Sequence, residues 1–366
     1  ELKQFITTES KTIFKFKPIQ RLWHIPVLAG ISVALPMFIG ILFGNPKNGF
    51  IAGCTGLLIL YLPFHSRSFA KRMVTILACA FGFMISYAIG IIFSFNPLVS
   101  SVVFSLFAVF AHWTAKIFRV KPPGSFFFIM LCAIASCQSF DLSQIPVKLG
   151  LISLGTLSTC TLAFIYNLIV LKDYSYTDKA ETEPTHNKYA YLTEAIIIGI
   201  SLLTSMVTAH LFAFKNPYWI PISCLAVLQG VNVMHVWTRS IQRIIGTLLG
   251  LLLCWILIRY FNTPIAIAAI ILMLQITIEF FIVKQYTWAV VFITPLTILL
   301  AEGSNGVISN PDILLKTRFI ETFIGAVIGM IGGYFIYHEK IKRLAILQLK
   351  KTKQLIYYKQ QDSPIY

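Results

Sequence analysis

The chain has 366 residues, of which 57% are hydrophobic and only 12% carry a charged side chain. This composition excludes an ordinary soluble protein, whose surface would need far more charge, and is typical of integral membrane proteins. Lysine and arginine number 30 against 14 aspartate and glutamate, and this surplus suits anionic lipid or an anionic substrate. We expect no nucleic-acid partner, because the basic residues form short clusters between apolar runs.

Twelve apolar runs predict about twelve transmembrane helices in two sets of six. The first set is 23–43, 49–64, 73–95, 97–115, 125–139 and 147–171, and the second set is 190–214, 217–234, 244–261, 263–283, 286–301 and 315–337. A full span needs roughly 20 residues, and the second and fifth runs of each set are shorter. The predicted fold class is therefore an all-α polytopic membrane protein whose second and fifth helices in each set are short.

The two sets resemble each other. Four matches lie 171 positions apart, namely Asn45-Pro46 with Asn216-Pro217, Arg72 with Arg243, Asp141 with Asp312, and Ile165-Tyr166 with Ile336-Tyr337. Ordered matches at a constant spacing predict an internal repeat. Because each copy holds an even number of spans, we expect two parallel six-helix repeats related by an axis along the membrane normal.

The predicted organisation follows from these runs and from the charge between them. It comprises an N-terminal segment (1–22), a first repeat (23–171), a linker (172–189), a second repeat (190–337) and a basic tail (338–366). Lysine and arginine concentrate in loops such as the one holding Arg67 and Arg72, which places those loops and both termini in the cytoplasm. We expect a bacterial inner-membrane protein without a cleavable signal peptide.

Residues 216–250 contain the most informative motif. Tyr218 and Trp219 lie at a predicted membrane interface, where amphipathic rings are enriched. Arg239 and Arg243 are one helical turn apart, so both guanidinium groups leave the same face of the helix that begins there. Two arginines at the start of a membrane helix indicate a site that handles anions.

The same segment carries a family resemblance. Its elements are Tyr218-Trp219, Pro221 and Arg239-x-x-x-Arg243-x-x-Gly246-Thr247-x-x-Gly250. This joined pattern resembles the fusaric acid resistance family of membrane proteins, which includes bacterial aromatic-acid exporters. It is more distantly similar to the plant aluminium-activated malate channels. The resemblance implies transport of an organic anion, aromatic in the first case and a dicarboxylate in the second.

Candidate substrate-binding residues share a position near helix ends and a side chain able to contact an anion. They are Arg239, Arg243, Arg67, Arg72, Trp219, Tyr218, Gln229 and Asn232. Arginine offers a planar fork suited to carboxylates. The alternative is that the arginines only mark the cytoplasmic side and that the aromatic rings anchor the interface. A broken or re-entrant eighth span would bring Gln229 and Asn232 to the substrate.

Three titratable residues within predicted spans are candidates for coupling transport to protons: His112, Glu279 and Glu321. A charge at the bilayer centre costs at least roughly 2.5 kcal/mol, so each needs a partner or water. Each also has a static alternative. Glu321 could pair with Arg318, Glu279 with a neighbouring cation, and His112 could be an interfacial residue near Lys116.

These features predict an exporter of organic, and by resemblance aromatic, carboxylates that works by rocking between its halves. The alternatives are a passive anion channel and a non-transporting scaffold protein. We expect no enzyme activity, cofactor or metal, because no nucleotide-binding loop or HExxH-type motif occurs. Partners would be the small anion, the bilayer, and either a second copy or an accessory periplasmic export component. Gly-x-x-x-Gly faces such as Gly246/Gly250 and Gly325/Gly329 would join helices within the chain or between chains.

Overall fold

The computed structural model describes residues 22–64, 66, 68–170, 188–261, 263–302, 311–338 and 347. Arg67 lies outside the described residues. The predicted N-terminal segment, linker and basic tail also lie almost wholly outside them, so these domain boundaries stay predictions.

The described residues form α-helices from one end to the other. The first half contains α1 His24–Leu42, α2 Pro46–Gly53, α3 Phe69–Ile92, α4 Pro97–Ile117, α5 Phe126–Ser136 and α6 Ile145–Ile169. The second half contains α7 Lys188–Leu211, α8 Trp219–Leu228, α9 Val233–Tyr260, α10 Pro264–Phe281, α11 Tyr286–Glu302 and α12 Pro311–Tyr337. A 3₁₀-helix, Cys54–Tyr61, continues directly from α2. The prediction of an all-α fold is confirmed for this part of the chain.

Among the described residues, eight helices are long and apolar enough to cross a membrane, namely α1, α3, α4, α6, α7, α9, α10 and α12. The protein is therefore a multi-pass membrane protein. The short helices α2, α5, α8 and α11 occupy the second and fifth places of each set, as expected from the run lengths. A total of twelve spans is not established by helix length, because α8 has only 10 residues.

Local capping explains where several helices begin. Asn96 accepts hydrogen bonds from the backbone N–H groups of Leu98 and Val99, and Pro97 occupies the first turn of α4. The side chain of Thr263 similarly caps α10. A polar cap followed by proline is a strong start signal, because the side chain satisfies free backbone donors and proline has none to lose. These two starts agree with the predicted boundaries.

The ninth helix begins before the apolar run that starts at residue 244 and before the two arginines at which a helix start was expected. Asn232 accepts a hydrogen bond of 2.7 Å from the backbone N–H of His235, and α9 begins at Val233. Arg239 and Arg243 therefore lie inside the helix rather than at its start. The apolarity pattern missed these turns because their polar side chains face other helices of the protein instead of lipid.

The helices assemble into two bundles. We define the first bundle as α2, α3, α5 and α6, and the second bundle as α8, α9, α11 and α12. In the first bundle α3 packs on α5 and α6, and α2 with its 3₁₀ continuation packs on α6. In the second bundle α9 packs on α11 and α12, and α8 packs on α12. Contacts of α1 with α10 and of α4 with α7 join the two halves.

Glycines allow the closest helix contacts inside the second bundle. A Cβ at Gly325 of α12 would lie 2.3 Å from the backbone oxygen of Ile220 in α8. A Cβ at Gly250 of α9 would lie 2.6 Å from the backbone oxygen of Val291 in α11. No side chain fits at such distances, so these Gly-x-x-x-Gly faces serve packing within the chain.

Candidate functional site

Charged side chains are buried at the centre of the second bundle. Arg243 on α9 is 5% exposed, and Arg318 and Glu321 on α12 are 4% and 2% exposed. Arg239, one turn before Arg243, is half-buried. Because burial of an unpaired charge is costly, this concentration of arginines is unusual for a core that serves packing alone.

Three arginines contact one face of α8, and we call Arg318, Arg243 and Arg239 the arginine row. At the start of α8, the guanidinium carbon of Arg318 lies 3.5 Å from the centre of the Trp219 ring. One turn further, Arg243 Nη2 donates a hydrogen bond to Ser223 Oγ at 3.3 Å. Near the end of α8, Arg239 Nε donates to the Ala226 backbone oxygen at 3.2 Å. Positions 219, 223 and 226 have the i, i+4, i+7 spacing of a single helix face. The row therefore follows the axis of α8.

Tyr286, at the start of α11, contacts two members of the row. The guanidinium carbon of Arg239 lies 4.1 Å from the centre of the Tyr286 ring. Arg243 Nη1 donates to the Tyr286 hydroxyl at 3.4 Å. An aromatic face attracts a cation without adding a negative charge, so Tyr286 and Trp219 stabilise buried arginines and leave their positive charge in place.

Several polar atoms of this cluster make no hydrogen bond within the described part of the chain. They are Nε and Nη1 of Arg318, Nε of Arg243 and Oε1 of Glu321. Arg318 Nη2 has only a long contact of 3.5 Å with Thr297 Oγ1. Arg318 is close enough to Glu321 and to Arg243 for their charges to interact. However, Arg318 and Glu321 do not form the hydrogen-bonded ion pair considered above as the static alternative. Arg318 and Arg243 therefore have buried N–H donors without a hydrogen-bond acceptor among the described residues.

A cavity of about 240 Å³ opens at the Arg318 end of the row. Its polar lining comes from Arg318, Glu321, Thr317, Lys215 and Asn216, and Trp219 forms part of its wall. Lys215 is exposed and the arginine is buried. Positive charge therefore extends from the surface to the interior of the second bundle.

The other predicted binding residues have more local roles. The rings of Tyr218 and Trp219 pack with centroids 4.7 Å apart. Gln229 is half-buried just after α8, and Asn232 is an exposed helix cap. Arg72 is buried in the first bundle, where its Nη1 donates to the Ser66 oxygen at 2.6 Å. The structure thus brings Arg239, Arg243 and Trp219 together with residues the sequence interpretation did not select: Ser223, Tyr286, Lys215 and, as a binding residue, Arg318.

The coupling candidates lie in three different places. His112 on α4 contacts Glu194 of α7 through Nε2 at 3.2 Å and Ser125 through Nδ1 at 3.1 Å. Lys116 Nζ lies 2.8 Å from the same Glu194 oxygen. Glu279 on α10 is buried and accepts a hydrogen bond of 3.1 Å from Gln275. Glu321 adjoins the arginine row, because it interacts with Arg318 and lines the same cavity.

Sequence interpretation missed Glu194. It lies near the start of a predicted span, where a carboxylate is expected to contact solvent. One signal could have found it, because it is the only acidic residue in the run 190–214. Its partner His112 is 82 positions away in the chain, so the contact itself could not be read from local spacing.

Residues 203–332 match the family described as "Fusaric acid resistance protein-like". The matched segment contains the whole arginine row and most of the second bundle. The chain is also 32% identical over 158 residues to the "Uncharacterized membrane protein YvaC" of Bacillus subtilis (strain 168). That alignment covers 43% of this chain and 25% of the relative, so the chain spans about a quarter of the relative's length. No solved structure matches the chain. The predicted family resemblance is confirmed.

Proposed function

We propose, from the fusaric acid resistance protein-like domain that this chain carries in residues 203–332, that the protein transports organic carboxylate anions across a membrane. The observation that carries the proposal is the set of unpaired donors on Arg318 and Arg243, two side chains about 5% exposed or less. Guanidinium groups bind carboxylates through paired, charge-assisted hydrogen bonds. A carboxylate therefore suits the donors that this cluster offers.

Charge balance supports an anion. Within the described part of the chain, the row contributes three positive charges, and the carboxylate of Glu321 interacts with Arg318. Buried charges of one sign are expensive unless they are compensated. An anion that enters from the cavity would compensate this excess, and it could leave again because aromatic rings hold Arg318 and Arg239 when no anion is bound.

Size and shape favour a small anion. The cavity of about 240 Å³ lies below the roughly 300–1,000 Å³ that is usual for drug-sized ligands. Trp219 forms part of its wall and carries Arg318 against its ring, and an aromatic acid is the substrate that the family resemblance implies. In this proposal the physiological direction is export, from a bacterial inner membrane with both termini in the cytoplasm, and the protein is a transporter rather than an enzyme.

The proposed architecture is two six-helix repeats. Support comes from helix contacts that recur in both halves. The contact of α3 with α5 corresponds to that of α9 with α11, and the contact of α2 with α6 corresponds to that of α8 with α12. Two contacts join the halves, α1 with α10 and α4 with α7. If each helix is replaced by its counterpart six places along the chain, the first contact becomes the second. Such a pattern is expected of two halves related by an axis along the membrane normal.

Proton coupling is the finer part of the proposal. Of the three candidates, Glu321 is best placed, because its charge interacts with Arg318. A protonated Glu321 would release Arg318 to an incoming anion, and a deprotonated one would compete with that anion. His112 and Glu279 would act on the arrangement of helices instead.

The test is uptake of labelled benzoate and malate into liposomes that contain the purified protein, with and without an imposed pH gradient. We compare wild type with Arg243→Gln and with Arg259→Gln, which removes the same charge from an exposed part of the same helix. Accumulation that follows the gradient and is lost only in Arg243→Gln supports a coupled carrier. Flux that merely equilibrates supports the passive channel. No flux of either anion refutes transport of these two classes and favours the scaffold alternative.

A further inference from the structure

We propose that the anion crosses inside the second bundle, moving along α8 past Arg318, Arg243 and Arg239 in turn, rather than between the two halves of the chain. This proposal rests on the proposed function and adds its path. In this proposal Ser223 and Tyr286 line the path of the anion. The first bundle supports the fold and does not conduct the anion.

The first argument is spacing. The three contact points on α8 span positions 219 to 226, which corresponds to about 10 Å at 1.5 Å per residue. Successive contact points of the arginines are therefore about 5 Å apart along the helix axis. A carboxylate can bridge two guanidinium groups over such a distance, so it would pass from one to the next without entering an uncharged segment.

The second argument is the kind of partner that each arginine has. Among the described residues, Arg318 and Arg239 lie over aromatic rings, and Arg243 donates hydrogen bonds to the hydroxyl groups of Ser223 and Tyr286. Neutral partners of this kind bind a guanidinium more weakly than a carboxylate does. Arg243 and Arg239 can therefore exchange their neutral partners for the anion and return to them afterwards, and Arg318 can do the same when Glu321 is protonated.

The third argument is access from both ends. At one end the cavity brings exposed Lys215 close to buried Arg318. At the other end Arg239 is half-buried, and the turn after α8 includes exposed Val231 and Asn232. The row thus connects two partly exposed regions through a buried centre.

The fourth argument is the packing elsewhere. The corresponding short segment of the first bundle places apolar Phe50, Leu58 and Ile59 in the core at no more than 1% exposure. The contact between α4 and α7 is close, since a Cβ at Gly199 would lie 2.3 Å from Val109. In the described part of the chain, the first bundle holds the single buried arginine Arg72, and at the junction the side chains of His112 and Lys116 face the Glu194 carboxylate. Among the described residues, neither place has several arginines in contact with one helix as the row does.

The experiment labels matched cysteines with 2-sulfonatoethyl methanethiosulfonate, a small anion that modifies thiols. Ser223→Cys in the second bundle is compared with Thr55→Cys in the first. Both native residues are 0% exposed, and each packs against a glycine of the neighbouring long helix, Gly325 and Gly155. Peptide mass spectrometry reads modification at each position in intact protein in liposomes, and wild type supplies the background from Cys224.

We expect modification of Cys at 223 that is at least about tenfold faster than at 55 and that benzoate or malate slows. Equal rates at the two positions, or no modification at 223, would overturn the path. So would flux that survives in Arg318→Gln and Arg243→Gln while Arg72→Gln abolishes it. If wild type carries no flux yet position 223 is labelled and protected, the path stands as a binding channel and the transport proposal fails, so the two failures are distinguishable.

Discussion

Replacing Gly325 by alanine should force α12 away from α8. The added Cβ would lie 2.3 Å from the Ile220 oxygen, whereas an ordinary contact is at least 3.4 Å. The two helices must therefore separate by about 1 Å, because the obstructing atom belongs to the backbone and cannot rotate aside. Overpacking of this kind typically costs about 1–3 kcal/mol of folding free energy. We expect the midpoint of thermal unfolding in mild detergent to fall by roughly 1–4 °C.

The matched control is Gly150→Ala on the exposed face of α6, where a Cβ meets nothing within 4 Å. Alanine is the better helix former by about 0.5–1 kcal/mol, so this variant should be unchanged or slightly stabilised. Gly155→Ala gives a second comparison, because its Cβ would lie 2.3 Å from the Ala52 oxygen in the first bundle. It should destabilise the protein as Gly325→Ala does but spare anion flux. Equal unfolding midpoints for Gly325→Ala and Gly150→Ala would refute the close approach of α12 and α8.

Two further predictions test contacts outside the row. In a double-mutant cycle of His112→Ala and Glu194→Gln, we expect a coupling energy of about 1.5–3 kcal/mol in unfolding experiments, because the two side chains form a hydrogen bond that involves a charged group. A coupling energy near zero would show that this hydrogen bond does not stabilise the packing of α4 on α7. Asn232→Ala should cost about 1 kcal/mol through loss of the α9 cap and leave benzoate uptake at the wild-type rate. A large loss of uptake at unchanged stability would instead return Asn232 to the substrate site.

Helix positions could largely be predicted because lipid and capping act locally. The fourth and tenth helices begin at Pro97 and Pro264, within one residue of the starts of the apolar runs that predicted them. The ninth helix could not be bounded in this way, because its early turns owe their helical form to contacts with other helices. Likewise, nothing local predicts that α2 changes to a 3₁₀-helix at Cys54.

The candidate site was predicted only in part, because some of its contacts are local in the sequence and others join distant helices. Arg239 and Arg243 share a helix face, which spacing alone reveals. Arg318 lies almost one hundred positions after Trp219 in the chain, and only the packing of α12 on α8 brings them together. An interpretation based on neighbours in sequence therefore paired Arg318 with Glu321 and missed its aromatic partner.

The shortness of α8 has a consequence for how the protein is made. Its 10 residues are about 15 Å long, half of the roughly 30 Å that the hydrocarbon layer requires. All ten are buried within the protein, so α8 meets other helices rather than lipid on every side. Such a segment is too short to be inserted by its own hydrophobicity. During biosynthesis α8 should enter the bilayer only together with α7 and α9, and it should acquire its final position after α12, its main packing partner, has emerged from the ribosome.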